Sequence, residues 1–449
     1  MQMNKKLLPI AAACALFTPF FLCTSVLAAE SLDFNVTVTA PSNTPSAVVG
    51  VVLDSVCPDL ITTTGEDSAN LRQVCNFITT ATPAEIAAIS DELSAKPNTA
   101  SNSLATGTPS LGRPQGVGTR LSALRKSAKN TALFGFKSSI KKKRKTHYPV
   151  FNAQNSDDTG GLFSQRLSGF ISLNNVSSEQ IESQTEVGYE STSRGLLLGI
   201  DYRLLNRTFI GLATQYYNTS ADLTDAGSSL DANQFGLTLY STHFINDRWY
   251  LEGIINNSLQ QLGLKRQIDI TLGQQKIQSV ATGDTSSQQL GFSLGTGYDI
   301  PLKFGFSSVA SAGLHYSATN ISAYSENDAG NLSLAIDSQE ITSLTTSANI
   351  FLSRVFSTAF GVLIPQASAT WIHETKDDQQ NIAARFLSDS SNTNFQFSTP
   401  QADPNYFIVG LDLQMVLPQG RMAFIKYTNV RRLRNKVEYT LAAGFRMEF

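Results

Sequence analysis

From Gly161 onward the chain sorts its side chains by alternation, an apolar residue followed by a small or polar one. The final segment shows this best. Val437, Tyr439, Leu441, Ala443, Phe445, Met447 and Phe449 fall on one face, and Glu438, Thr440, Ala442, Gly444, Arg446 and Glu448 on the other. Alternate side chains of a β-strand point to opposite sides, so this segment is a strand with an oily face and a wet face. Twelve such strands are predicted, near 161–174, 187–203, 207–220, 231–244, 248–262, 286–300, 305–319, 338–354, 360–374, 404–417, 421–430 and 437–449. In the sixth, Leu290, Phe292, Leu294, Tyr298 and Ile300 oppose Gln289, Ser293 and Asp299. In the tenth, Phe407, Val409, Leu411, Leu413, Met415 and Leu417 oppose Tyr406, Asp412 and Gln414. The fifth and eighth alternate less regularly.

The connections between these strands carry a second pattern. After strands two, four, six, eight and ten they are tight: LLN, IND, PLK, FST and PQG. After strands one, three, five, seven and nine they are longer and rich in Ser, Asp, Asn, Gln and Gly, the longest spanning 375–403. Only RRLRNK is short on that side. Short turns at one rim and long loops at the other are the layout of a transmembrane β-barrel. The expected fold is therefore all-β, a 12-stranded antiparallel transmembrane barrel. An even strand count puts both ends of the barrel at the short-turn rim. Aromatic residues near strand ends (Tyr202, Trp249, Tyr298, Phe304, Trp371) suit interfacial girdles. A propeller or β-helix would repeat in sequence, and no repeat is visible.

Upstream the period changes. Leu71, Val74, Cys75 and Ile78 recur at helical spacing. In TPAEIAAISDEL, Thr82 is placed to cap a helix, with Pro83 at its first turn and Glu85 three residues on. Residues 30–54 begin with alternation at Leu32, Phe34, Val36 and Val38 and then run through Pro and Ser. Residues 96–118 are Pro, Gly, Ser, Thr and Asn and read as linker. This gives a small helical N-terminal region before the barrel. At the start, Lys5 and Lys6 precede an apolar run from Leu7 to Leu22 that closes on Val26-Leu27-Ala28-Ala29. That is a signal peptide, residues 1–29, with cleavage after Ala28 or Ala29. No other apolar run approaches a membrane-spanning helix.

An export signal changes the reading of the cysteines. Cys14 and Cys23 lie in the signal, in poor lipoprotein cleavage boxes. Cys57 and Cys75 remain, and an exported chain most simply pairs them. The closed loop would stabilise the region by about 3 kcal/mol. A metal site is disfavoured because no histidine precedes His147.

Charge adds one local feature. Lys+Arg number 34 and Asp+Glu 36, a formal net charge of −2, and only 16% of residues are charged. Residues 113–147 hold eleven Lys or Arg and no acid, including KKKRK at 141–145. Leu121, Leu124, Ala128 and Ala132 could form a narrow apolar stripe on a helix there. This segment reads as a solvated linker, a contact for anionic headgroups or lipopolysaccharide, or an occupant of a polar pore. Nucleic acid is not an expected partner, because no aromatic interleaving or known module accompanies the charge. No catalytic constellation is assigned. Asp54-Ser55 lacks a preceding Gly, and the histidines are His147, His243, His315 and His373. His373-Glu374 beside Trp371 is read as a structural rim motif rather than a hydrolytic pair. No cofactor or metal is expected.

The barrel segments also resemble a known family. GVLIPQASATWIHE, YFIVGLDLQMVL, RMAFIKYTNV and LAAGFRMEF are together similar to the translocator domain of autotransporters, the type V secretion proteins of Gram-negative bacteria. The resemblance covers residues 150–449. It implies residence in the outer membrane, among lipopolysaccharide, after escort by periplasmic chaperones. It implies that Val437, Tyr439, Leu441, Phe445, Met447 and Phe449 form the signal read by the barrel-assembly machinery. It implies a basic pore-spanning helix and linker at 113–149, and a short passenger at 30–112 shown at the cell surface, where a host or surface ligand is a possible partner. Two departures stand out: no Asn-Asn pair lies between 113 and 149 to mark self-cleavage, and the passenger is short. The leading expectation is an autotransporter without enzymatic activity. A surface adhesin acting through the long loops is the alternative, and an outer-membrane hydrolase comes third.

Overall fold

A computed structural model of the chain describes residues 44–62, 69–105, 166–224, 227–376, 378–389 and 392–449. The expected signal peptide, the stretch that follows it to residue 43, and the basic segment at 113–149 lie outside the described residues. Among the described residues four helices come first: α1 (Pro45–Thr62), α2 (Ala69–Ile78), α3 (Pro83–Glu92) and α4 (Lys96–Ala105). The strands follow as β1 (Leu167–Gln180), β2 (Tyr189–Leu205), β3 (Thr208–Leu223), β4 (Ser229–Phe244), β5 (Trp249–Leu272), β6 (Gln275–Pro301) and β7 (Phe306–Ile321). Then come β8 (Tyr324–Ser325), β9 (Leu334–Ile336), β10 (Gln339–Arg354), β11 (Phe356–Thr358), β12 (Gly361–Glu374), β13 (Asn381–Phe386) and β14 (Phe395–Ser398). The chain finishes with β15 (Asn405–Leu417), β16 (Arg421–Arg431) and β17 (Lys436–Glu448).

Twelve of these strands make the expected barrel. β1 to β7 pair in order, β7 pairs β10, β10 pairs β12, and β12 leads through β15 and β16 to β17. β17 returns to β1 in antiparallel register from Ser168↔Glu448 to Gln180↔Lys436. The Phe449 N–H extends this seam by donating to the Leu167 carbonyl at 2.9 Å. Closure matters physically, because an open edge would leave unpaired N–H and C=O groups in hydrocarbon. The two faces separate as alternation requires. Leu290, Phe292, Leu294 and Leu411 are exposed on the outer wall, while Gln289, Asp299 and Gln414 are buried inside. An apolar cluster of Phe170, Leu197, Phe209, Tyr240, Phe244 and Tyr250 fills part of the interior towards the short turns. Glycine makes room for it: a Cβ on Gly211 would lie 2.1 Å from the Tyr240 ring.

Above the long-loop rim the fold departs from the sequence reading. β5 and β6 run for 24 and 27 residues, joined by a tight turn at Gly273 with φ +63°. The loop expected at 263–285 is thus a projecting hairpin. Its inner face carries Leu262, Leu264, Arg266, Ile268, Ile270 and Leu272, all buried, and the arginine interrupts an otherwise apolar alternation. Two other long loops do not stay irregular either. β8, β9, β13 and β14 form a second, four-stranded sheet ordered β14-β13-β9-β8.

The helical region sits on this platform. α1 packs on β14, α2 on the turn at Gly330–Leu332, α3 on β5, and α4 on β5 and β7. α1 begins at Pro45, a residue suited to the first helical position. Its run of apolar residues surrounds the helix, so no amphipathic period announces it. Val49, Val52, Leu53 and Val56 are buried. The Thr82 cap of α3 is present: Thr82 N–H donates to Glu85 Oε2 at 2.8 Å, and Glu85 N–H to Thr82 Oγ1 at 3.4 Å. The start of the expected linker, residues 96–105, is instead helix α4. Its polar, small side chains are poor helix signals, and tertiary contact overrides them. Ala100, Leu104 and Ala105 pack among Val187, Tyr189, Leu230 and Leu264 at the inner mouth of the barrel.

Candidate functional site

The mouth of the barrel, where α4 meets the long loops, concentrates the buried polar chemistry. Arg266 on the hairpin and Glu326 on the β8–β9 loop are each 1% exposed and form an ion pair at 2.6 Å. Glu326 accepts from Arg266 Nε at 3.0 Å, Arg266 Nη2 at 2.6 Å and the Leu334 N–H at 2.9 Å. Arg266 Nη2 also donates to the Leu332 carbonyl at 3.1 Å. α4 reaches the same group: Asn98 Nδ2 donates to Tyr324 Oη at 2.9 Å and to Glu326 Oε1 at 3.4 Å. Burial raises the Tyr324 phenol pKa above its ordinary value, keeping it neutral. A buried carboxylate is tolerated when it is paired and its lone pairs are filled, as they are here.

α4 makes three further polar contacts. Ser103 Oγ donates to Glu186 Oε1 at 2.5 Å, and burial pushes the Glu186 carboxyl pKa up despite that bond. Lys96 Nζ lies 2.5 Å from Asp91 and 3.7 Å from Glu182. Cys57 of α1 and Cys75 of α2 are joined by a disulfide, with Cα atoms 5.1 Å apart and both residues fully buried.

Beneath α4 lies a cavity of about 530 Å³ whose lining includes Asn102, Glu186, His315, Glu374, Lys376 and Lys436. Deeper in the lumen a second cavity of about 270 Å³ is bounded by Glu252, Gln366, Asp412 and Lys426 among others. Gln366 Nε2 donates to Asp412 Oδ1 at 2.8 Å. Both cavities have polar, partly charged walls. Among the described residues no cluster of His, Cys, Asp and Glu is arranged to hold a metal ion.

The rim residues fall on β12 and separate by parity. Trp371 and His373 face outward, with their rings stacked at 5.9 Å. Asn405 Oδ1 lies 3.1 Å from Trp371 Nε1 and 3.1 Å from His373 Nδ1. Glu374 points the other way and is buried. It accepts from Ser343 Oγ at 2.5 Å, the Leu344 N–H at 2.9 Å and the Lys376 N–H at 3.0 Å. Adjacent strand residues cannot share a face, so His373 and Glu374 do not form an acid–base pair. The terminal-strand residues Val437, Tyr439, Leu441, Phe445 and Phe449 are exposed on the outer wall, and Met447 is half-buried beside them. Asn98, Arg266 and Glu326 were not singled out from the sequence. The one signal there was a lone arginine inside an apolar alternation.

A closed antiparallel barrel with an apolar exterior, a polar lumen and unequal rims is an outer-membrane β-barrel. Its segments match the model of the autotransporter beta-domain over residues 170–428, more than half of the chain, and the chain belongs to that family. Among solved structures it is similar to the translocator domain of the autotransporter NalP from Neisseria meningitidis. The two are 14% identical over 65% of this chain and 90% of that one, with a TM-score of 0.51. The beta domain of the Bordetella autotransporter BrkA is also 14% identical, over 63% of this chain and all of that one, with a TM-score of 0.44. Among curated proteins no significant relative was found. The protein is an outer-membrane translocator barrel.

Proposed function

We propose that this barrel exports its own N-terminal region and displays it at the cell surface on the long-loop rim. One observation carries the reading. α4 ends at Ala105 among Val187, Leu230 and Leu264, at the long-loop mouth. Arg166, the next described residue, accepts at its carbonyl from the Arg203 N–H at 2.8 Å, beside the short β2–β3 turn. Residues 106–165 therefore join opposite rims of a closed barrel. The lumen is the polar route between them, since lipid on the outer wall excludes a charged chain. The basic segment at 113–149 then becomes the pore helix and its linker. The lumen walls carry carboxylates of the opposite sign, among them Glu252, Asp299 and Asp412.

In this reading residues 1–29 direct the chain across the inner membrane. Periplasmic chaperones hold it, and the assembly machinery recognises the outward face of β17. The long-loop rim faces outside, as in barrels whose long loops are extracellular. The export step draws on folding of the displayed region. Residues 113–149 carry no Asn-Asn pair to mark self-cleavage. A binding role, with a host or surface ligand, would be exercised by the surface that the helices and loops make together.

The test is sidedness. An epitope tag after Ala40 and, separately, one in the β13–β14 turn are probed with antibody on intact cells. Both tags are expected to be reached. If only the turn tag is reached, the barrel stands in the membrane as described but export of the N-terminal region is refuted.

A further inference from the structure

We propose that the long loops and the β5–β6 hairpin form a clasp, a docking receptor for the chain's own exported helices that holds them closed over the barrel mouth. The inference rests on the export reading and adds what happens after transit.

Three independent contacts between the helices and the barrel support it. First, the second sheet exists only because two loops, distant in sequence, pair with each other: Ala384↔Ile336 joins β13 to β9. That sheet presents β14 to α1. Phe386, Phe395 and Phe397 of the loop sheet are buried, with neighbouring rings 5.8 and 6.4 Å apart. Loops that bring three phenylalanines together need an apolar partner, and α1 packs on β14, which carries Phe395 and Phe397. Second, Asn98 on α4 is held by Tyr324 and Glu326, and Glu326 is itself locked to the hairpin by Arg266. Third, the Asp269 N–H near the hairpin tip donates to Glu92 Oε2 of α3 at 3.3 Å. A linker tether needs none of this. Helices that merely hung from the rim would leave the loops free, and the loops would not need a shared fold.

The consequence is a mouth that stays covered unless the clasp opens, with opening controlled by residues on the barrel side. Thiol labelling measures this directly. Ser101 on α4 is 1% exposed. In a Ser101→Cys chain carrying the tag after Ala40, a membrane-impermeant maleimide labels that thiol only when α4 opens. Cys57 and Cys75 are occupied by their disulfide. Labelling is expected to be slow in this parent. It is expected to be at least tenfold faster when Phe395→Ala and Phe397→Ala are added, with the tag still reached on intact cells. Asn98→Asp sets a second carboxylate against Glu326 and is expected to act in the same direction. It lies outside the barrel strands, so it keeps the test decisive should the loop variant fail to assemble. Equal labelling rates in parent and variants, or a parent thiol as reactive as an exposed control cysteine, would overturn the clasp. The sidedness result is separable. If the tag is not reached in the parent, export is refuted, and the same labelling on detergent-extracted protein still decides whether α4 is held shut.

Discussion

Replacing Arg266 with alanine is expected to loosen the loop fold far more than removing its whole ion pair. In the single variant the Glu326 carboxylate stays 1% exposed with its principal cation gone. Leaving one partner of a buried pair uncompensated costs about 3–5 kcal/mol. The double variant Arg266→Met with Glu326→Gln removes both charges. It keeps an amide oxygen for the Leu334 N–H, which now bonds Oε2 at 2.9 Å, and gives up only the longer Asn98 contact to Oε1 at 3.4 Å. Its cost is expected to be about 1–2 kcal/mol, of the order of the weakened hydrogen bonds. Hydrogen exchange followed by mass spectrometry reads the difference, because several reporter amides surround the pair. The Leu334 N–H bonds Glu326 itself, and the Asp337 N–H donates to the Ala383 carbonyl at 3.0 Å. A loss of 3–5 kcal/mol accelerates exchange by roughly two to nearly four powers of ten, at 1.4 kcal/mol per tenfold. Exchange in β2 and β3 serves as the internal standard and is expected to be unchanged. Should the single variant exchange no faster than the double, the carboxylate is solvated, and the argument from buried charge fails.

Three other outcomes are expected. The Glu186 carboxyl is raised above its ordinary 4.5 by burial, so the docked state binds more protons than the open one. Docking is then strongest below about that pH and weakens as pH rises through the raised value. Opening free energies from hydrogen exchange, corrected for intrinsic rate, are expected to show this slope, and Glu186→Gln to abolish it. Replacing Cys57 and Cys75 with serine removes the link between α1 and α2. It is expected to cost the helical region about 3 kcal/mol, seen as lost exchange protection there while the barrel keeps its heat-modifiable gel mobility. Gly211→Val sets a side chain where a Cβ alone would lie 2.1 Å from the Tyr240 ring. Folded barrel, measured by heat-modifiability, is expected to fall, and Tyr240→Ala in the same chain to restore it.

The barrel was legible because one physical constraint governs every strand. Lipid on one face and a polar lumen on the other enforce alternation, so the strand from 437 to 449 and most of the other eleven could be read singly. β1 was displaced, from 161–174 to Leu167–Gln180, because its register is set by pairing with β17 and β2, and β5 and β6 ran on past their expected ends into the hairpin. The region above the rim was less legible, since its elements take their stability from one another. α4 is polar in composition and becomes a helix where it meets the barrel mouth. β9 and β14 are three and four residues long, too short for a period to show. Arg266 concealed the hairpin by placing a charge in an apolar row, and its partner Glu326 lies 60 residues further on. For the rim residues the reverse holds: that His373 and Glu374 point apart follows from their being neighbours on a strand.

The seam between β1 and β17 also sets the order of assembly. Neighbouring strands elsewhere in the barrel meet across short turns or single loops, so each can zip onto the one before it. Ser168 and Glu448 pair across 280 residues. Loop-closure entropy and contact order place such a contact last and make it slow. Until it forms, the growing sheet carries two raw edges, and within hydrocarbon each unmatched peptide group costs several kcal/mol. A half-made sheet is therefore not a resting state in lipid. The ring must either be completed before it enters the bilayer or have its edges shielded by another strand-bearing surface until they meet, and the kinetic barrier to building this protein is concentrated on that single line of hydrogen bonds.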